Sequence, residues 1–280
     1  MSSLPASFPS ARFYDDLRHP RERRSLWVTF ALVGLAVLLI GVFSLGAALV
    51  LLLFALWAVG VLVRLNRSRH LGNALRVSEA QFPELAEQSA RAARAVGVPP
   101  LQVFVYQEDK VNAYAFGWNP PHTIALTSGA VEGLDSGELR FVLGHEMGHI
   151  ALGHTRITTL VGGLLGAPAV PLVSTLLLLI FQRWSRYAEY SADRAGLVAC
   201  GDLDRAVSAL VKLLVGPNLA RRVDLQVLMA QSRELNRRID ALGEASAMHP
   251  YLVHRLRALT EFWGTSRCQS LLRSAAAMEA

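Results

Sequence analysis

Two kinds of apolar pattern share this chain: unbroken runs long enough for lipid, and periodic stripes suited to a folded core. The longest run, Leu26 to Val63, holds 38 residues without a charge. As one helix rising about 1.5 Å per residue it would reach nearly twice the roughly 30 Å hydrocarbon layer of a bilayer. Gly41 to Gly46, with Ser44 between them, supplies a turn that divides the run into two stretches of about minimum spanning length. A tight transmembrane hairpin over 26–63 is therefore expected. Arg12, Arg18, Arg21, Arg23 and Arg24 precede it, and Arg64, Arg67, Arg69 and Arg76 follow it, which puts both ends on the positive, cytoplasmic side. A cleaved signal peptide fits poorly, because its apolar core would be far shorter.

A second apolar run, Ile157 to Phe181, lies between Arg156 and Arg183 and is long enough to cross once. Gly162, Gly163, Gly166, Pro168 and Pro171 predict a break in its first half. The pattern leaves open a re-entrant or short helical hairpin, a helix pair lying on the membrane surface, and an apolar hairpin packed on the folded domain.

The periodic stretches predict a mostly α fold with a small β-sheet. Ser78 to Val96 has helical spacing, with Phe82, Leu85, Ala86, Ala93 and Val96 on one face and Gly97 as the stop. Gln102 to Tyr106, Val111 to Gly117 and Thr123 to Thr127 read as strands, the last two separated by Asn119-Pro120-Pro121. Asp135 with Glu138 makes a capping-box start for a helix from about Gly137 to Gly153. A further helix runs to Cys200 and stops at Gly201. Asn218 to Ala247 has the pattern of an Arg-rich amphipathic helix, solvated or touching the membrane surface. The organisation expected is a cytoplasmic segment over 1–25, the hairpin over 26–63, a folded domain over 78–263 with its apolar insertion at 157–181, and a frayed tail over 264–280.

Composition supports a membrane protein: 52% of residues are hydrophobic and the mean hydropathy is +0.32. The net charge of +6 comes almost wholly from arginines spread along the chain and flanking the apolar runs, so the lipid bilayer is the expected partner and nucleic acid is not. Cys200 and Cys268 are too few for a disulfide framework and are not at metal-ligand spacing.

The chemistry concentrates in His145-Glu146-Met147-Gly148-His149, an HExxH. Two imidazoles four apart on a helix share a face, and the glutamate between them is turned towards the same cleft, the arrangement of two zinc ligands and a general base. A catalytic zinc generally takes three protein ligands and leaves a fourth position for water. His154 is the nearest candidate for the third, but on a continuous helix it lies opposite His145, and it misses the HExxHxxGxxH spacing by one, with Thr155 in the required place. Glu189 is the better candidate. It shares a helix face with Asp193, four residues on, so Glu189 can reach the metal while Asp193 accepts the second ring N–H of a ligand histidine. An ordinary solvated helix face is the competing reading of that acidic pair.

HEMGH, the ExxxD of Glu189 to Asp193, the stretch Asn112-Ala113-Tyr114-Ala115-Phe116-Gly117, and His249-Pro250 with Arg255 six residues after the histidine together resemble the gluzincin-type membrane metalloproteases typified by HtpX and the CaaX prenyl endopeptidase. The resemblance covers roughly residues 78–263, and the N-terminal hairpin also fits HtpX-like members. It implies an α+β gluzincin-type domain, one zinc ion per chain on His145, His149 and Glu189, Glu146 as base and Asp193 as support. It also implies that Asn112, Ala113, Tyr114, Ala115 and Phe116 form an edge strand binding substrate backbone, that His249 donates a hydrogen bond to the oxyanion or approaches the metal in a resting state, and that Arg255 binds substrate or orders the His249 loop. A structural ion pair is the other reading of Arg255.

Protein or peptide substrates follow from the resemblance. The expected function is a zinc-dependent endopeptidase of the bacterial inner (plasma) membrane, its catalytic domain facing the cytoplasm, acting on membrane or misfolded proteins in quality control. A selective processing protease for a membrane-associated or lipidated peptide, and a catalytically silent membrane adaptor, are the alternatives. Intact His145, Glu146, His149 and Glu189 argue against the adaptor, since a silent protein has no need of the base.

Overall fold

The computed structural model describes the chain apart from residues 1–10, 45, 48–49, 55–56, 59–71, 100, 118–119, 159–170, 235–249 and 280. In chain order the named elements are α1 (Ala11–Leu17), α2 (Glu22–Phe43), β1 (Leu75–Arg76), α3 (Pro83–Val96), β2 (Gln102–Tyr106), β3 (Ala113–Phe116), β4 (Thr123–Thr127), α4 (Ser128–Gly133), α5 (Ser136–Ala151) and α6 (Pro171–Cys200). They are followed by α7 (Leu203–Val215), α8 (Pro217–Ala220), α9 (Leu225–Glu234), α10 (Leu252–Trp263) and α11 (Ser266–Glu279). The fold is thus mostly helical with one small mixed sheet.

The strand order is β1-β2-β4-β3. β2 and β4 pair in parallel, from Gln102 opposite Thr123 to Tyr106 opposite Thr127, while β3 returns antiparallel to β4, Ala113 opposite Leu126. β3 is an edge strand: β4 lies on one side and no described strand on the other. The two-residue β1 was not legible in the sequence, being too short to show alternation. The helix expected from Ser78 starts later, at Pro83, because Ser78 and Gln81 close a bridged turn first and Phe82 adopts a left-handed backbone, φ 63°.

α5 is the central helix of the core, buried along most of its length from Glu138 to Gly148. Its start is the expected capping box. The Asp135 carboxylate accepts from the N–H groups of Gly137 and Glu138, and the Glu138 carboxylate accepts from the Asp135 N–H at 2.7 Å, an arrangement that contributes about 1 kcal/mol. Glu138 itself is buried, and Lys212 of α7 donates to it at 2.7 Å. The helix ends when Gly153 enters the left-handed region, φ 78°.

α5 lies against α6 at unusually close range. A β-carbon placed on Gly144 would stand 2.3 Å from the Ala199 β-carbon, and one on Gly196 would stand 2.7 Å from the Phe141 carbonyl oxygen. Small residues on both helices therefore let the backbones approach, and that approach brings the acidic face of α6 onto the histidine face of α5.

α6 also extends further back than its downstream motif indicated. The helix is continuous from Pro171, so the second half of the apolar insertion is the first third of the helix that carries Glu189; residues 159–170, where the break was expected, lie outside the described residues. α2 and α6 run antiparallel. Glu22 meets Ser191 at one end of the contact, while Phe30 meets Phe181 further along, ring centroids 6.4 Å apart, and Leu26 and Val33 pack on Phe181, Trp184 and Ala188.

α2 is the one helix among the described residues that is long and apolar enough to cross a membrane, and most of its large apolar side chains are exposed, Trp27, Leu38 and Phe43 among them. It begins at Glu22, four residues before the expected boundary, because Glu22, Ser25 and Thr29 are buried against the folded domain. After Ser44 the chain turns through Gly46, φ 88°, and helical backbone resumes at 50–54. The rest of the return arm lies mostly outside the described residues, so a single apolar helix is shown rather than a hairpin.

The segment before the apolar run is folded: α1 places Phe13 and Leu17 in the core. One further expectation is corrected. The tail is not frayed, because α11 buries Cys268, Leu271 and Ala275, spaced three and four apart on one helix face.

Candidate active site

His145 and His149 project from the buried face of α5 and Glu189 reaches them from α6. The Nε2 atoms of the two histidines are 3.2 Å apart, and the Glu189 carboxylate oxygens lie 3.7 Å from His145 Nε2 and 3.5 Å from His149 Nε2. Ligand atoms about 2.0–2.1 Å from a tetrahedral zinc stand roughly 3.3 Å from one another. The three donors, two nitrogens and a carboxylate oxygen, thus have the chemistry and the spacing to hold one zinc ion.

Each histidine is held through its other ring nitrogen. His145 Nδ1 is 3.0 Å from Asp193 Oδ1, and with Nε2 facing the metal, Nδ1 carries the proton and donates it. Asp193 is in turn gripped by Arg255 of α10, whose Nε donates to Oδ2 at 2.9 Å and whose Nη2 donates to Oδ1 at 2.6 Å. Burial pushes the Asp193 carboxyl up, but Arg255 and the His145 hydrogen bond outweigh it and hold its pKa below the ordinary value. Burial likewise acts to lower Arg255, and the facing Asp193 and Glu189 carboxylates reverse that and raise it. Of the readings open for Arg255, an ion pair is the one the geometry displays. His149 Nδ1 meets a residue that sequence reasoning had passed over as a ligand: His154 Nδ1, 3.0 Å away.

The histidines, Glu146 and Glu189 line a cavity of about 540 Å³, within the range of ligand clefts. Asn112, Ala113, Tyr114 and Ala115 form one wall. Phe116 is on the same strand outside the lining, its ring 5.6 Å from that of Tyr114. Asn112 is pinned where β3 begins, its N–H donating to Thr127 Oγ1 at 3.0 Å and its carbonyl accepting from the Thr127 N–H at 3.1 Å. Pro250 also lines the cavity, while His249 lies outside the described residues. Thr155, the residue standing where the HExxHxxGxxH spacing would put a histidine, also lines the cavity with a buried hydroxyl.

A mostly helical domain with a small sheet, an HExxH on its central helix and a glutamate delivered from a second helix defines a metallohydrolase of the HExxH class. Residues 79–262 match Peptidase family M48, and the chain belongs to that family, whose members are zinc-dependent metallopeptidases. It is 28% identical over 277 residues to the plastoglobule-localized metallopeptidase 48 of Arabidopsis thaliana, covering 93% of this chain and 76% of that protein. It is 37% identical over 122 residues to a protease HtpX homolog of Acidiphilium cryptum, covering 43% of this chain and 42% of the relative, and 32% identical over 164 residues to one of Pyrococcus furiosus, covering 58% and 51%. The chain therefore spans about half the length of the HtpX homologues it matches, and it is HtpX-like within the family.

Proposed function

We propose that the protein is an integral membrane zinc endopeptidase that cleaves membrane or misfolded proteins in quality control, with its active site at the cytoplasmic face of a bacterial inner membrane. The observation that carries the reading is the metal-spaced trio His145, His149 and Glu189, set with Glu146 in a cavity walled by an edge strand. When bound by that trio, zinc polarises the scissile carbonyl and acidifies water. Glu146 takes a proton from the attacking water and passes it to the leaving amine. β3 pairs with the substrate backbone, an edge strand offering main-chain hydrogen bonds that tolerate many sequences. His249, next in sequence to the cavity-lining Pro250, donates a hydrogen bond to the tetrahedral oxyanion.

The membrane part of the proposal rests on where α2 begins. Its first turn is buried beside the metal trio, and from there the helix leads away for about 33 Å at 1.5 Å per residue with its apolar side chains exposed. Pro171 to Phe181 leaves the site in the same direction, antiparallel to α2. Both helices therefore enter lipid together, the return arm to residue 63 completes the N-terminal hairpin, and the arginines on either side of it stay in the cytoplasm. The cavity then opens at the membrane surface, where chains partly drawn from the bilayer can reach it.

Cleavage of unfolded casein by detergent-purified protein, with and without a zinc chelator, tests the activity. Chelator-sensitive cleavage is expected; zinc-loaded, folded protein that cleaves neither casein nor an unfolded membrane protein would favour a selective processing enzyme. A reporter fused to the C-terminus tests the orientation, and activity of that reporter only outside the cytoplasm would reverse it.

A further inference from the structure

Glu22 is a carboxylate at the first residue of an apolar helix, and it is fully buried. An unpaired charge in such a place is costly, so its partners reveal its purpose. Arg18 and Ser191 both donate to it, and Arg18 also donates to the Leu152 carbonyl at the end of α5, at 2.8 Å. The third partner is His154, whose Nε2 lies 3.0 Å from Glu22 Oε1. His154 is buried against Trp184, ring centroids 5.7 Å apart, and its other nitrogen faces His149 Nδ1.

The proton positions along this line follow from its ends. With His149 Nε2 turned to the metal, His149 Nδ1 carries a hydrogen and donates it to His154 Nδ1. His154 then keeps its own hydrogen on Nε2 and donates it to the Glu22 carboxylate. Every donor meets an acceptor in this one arrangement, and no other tautomer of His154 satisfies both neighbours. Asp193 holds His145 directly; His149 is held by the same kind of carboxylate at one imidazole's remove.

We infer that Glu22 and His154 are positioning residues for the metal centre, fixing the tautomer and ring orientation of His149, so that metal affinity depends on the first turn of the membrane helix. The inference rests on His149 being a metal ligand. It gives the N-terminal segment a part in the site that anchoring alone does not require: Glu22 is 132 residues from His154 in sequence, and the hydrogen bond joins the start of the apolar helix to the metal site.

The test uses the full chain in detergent, with zinc affinity from chelator competition and the visible absorption of the cobalt-substituted protein as the second readout. Glu22→Gln keeps an acceptor oxygen but loses the charge, and His154→Phe keeps a ring of similar size while removing both hydrogen bonds. Loss of such an orienting partner typically weakens metal binding about 10–100-fold; His154→Phe is expected in that range, Glu22→Gln at its lower end, and both with an altered cobalt spectrum. A merely structural pair would lower thermal stability and leave the spectrum unmoved. Folded variants with wild-type zinc affinity and spectrum, in a protein that loses zinc on His149→Ala, would overturn the inference alone. Wild type that binds no zinc, or His149→Ala that retains it, would overturn the ligand reading and this inference with it. Should neither relay variant fold, histidine ¹⁵N resonances of the zinc-bound wild type decide: a bare Nδ1 and protonated Nε2 on His154 are expected, and the opposite tautomer would refute the relay.

Discussion

Gly148 of the HExxH faces Ala195 so closely that a β-carbon on the glycine would lie 2.6 Å from the alanine's own. The motif specifies only that two residues separate Glu146 from His149; the packing of α5 on α6 adds that the second of them has no room for a side chain. Replacing Gly148 with alanine gains about 1 kcal/mol of helix propensity, but the opposing methyl is short and rigid and cannot swing away, and overpacking costs about 1–3 kcal/mol. Gly148→Ala is expected to be destabilised on balance and to bind zinc more weakly, because the helix pushed aside carries Glu189. Thermal melts and zinc titration check this; an unchanged melting temperature with full zinc affinity would show that the helices are not in contact there.

Arg255 is expected to matter for stability before it matters for substrate. Its removal leaves the Asp193 carboxylate buried without its strongest partner, a loss of about 3–5 kcal/mol for such pairs. Arg255→Ala should unfold at distinctly lower denaturant. Adding Asp193→Asn should recover part of the loss, because the amide carries no charge to strand. Arg255→Lys should rescue incompletely, since an ammonium does not reproduce the two-pronged contact. If Arg255→Ala kept wild-type stability and lost only substrate affinity, the substrate-binding reading would stand instead.

Acid sensitivity has an identifiable contributor in His19, between α1 and α2. Burial first, and then the neighbouring Arg194 and Arg21 charges, push its pKa down to about 4 against the ordinary 6.5, with Glu22 opposing. Its Nδ1 accepts from the Arg21 N–H at 3.2 Å, and its ring stacks on Tyr187, centroids 4.8 Å apart. The unfolded chain takes up this proton below about pH 6.5 and the folded chain only near 4, so the unfolded state binds more protons in between and stability falls as the pH drops through that window. His19→Gln should lose less stability than wild type between pH 6.5 and 4 and follow it above. Parallel profiles of melting temperature from pH 8 to pH 4 would contradict this.

Much of the site was legible because it is written in local spacing. The four-residue intervals His145 to His149 and Glu189 to Asp193 each define a helix face, and the capping box and the glycine stops locate the helices that carry them. His154 was set aside as a ligand by extrapolating its position along a continuous helix, which hid its contact with His149. α5 ends at Ala151, and the left-handed turn at Gly153 brings His154 back so that its ring centroid is 5.2 Å from that of His149. It stands outside the His145, His149 and Glu189 trio but touches one member of it. Glu22 carried no local signal of this role: an acid flanked by Arg21, Arg23 and Arg24 ahead of an apolar run looks like part of a charged flank, its i,i+4 contact with Arg18 fits that reading too, and only the tertiary packing brings it His154 and Ser191. The packing of α11 was underestimated for a related reason, since two of its three buried residues, Cys268 and Ala275, are small and hydrophobic patterning weighs them lightly.

The central claim is that one metal centre on His145, His149 and Glu189 works with Glu146 as its base. Purified wild type and Glu146→Gln, assayed side by side for bound zinc and for casein cleavage, test it most directly. Glu146 is absent from the metal-holding trio, so the account predicts about one zinc per chain in both preparations, and cleavage by wild type with activity reduced at least 100-fold in the variant. Cleavage that survives in zinc-loaded Glu146→Gln would contradict it.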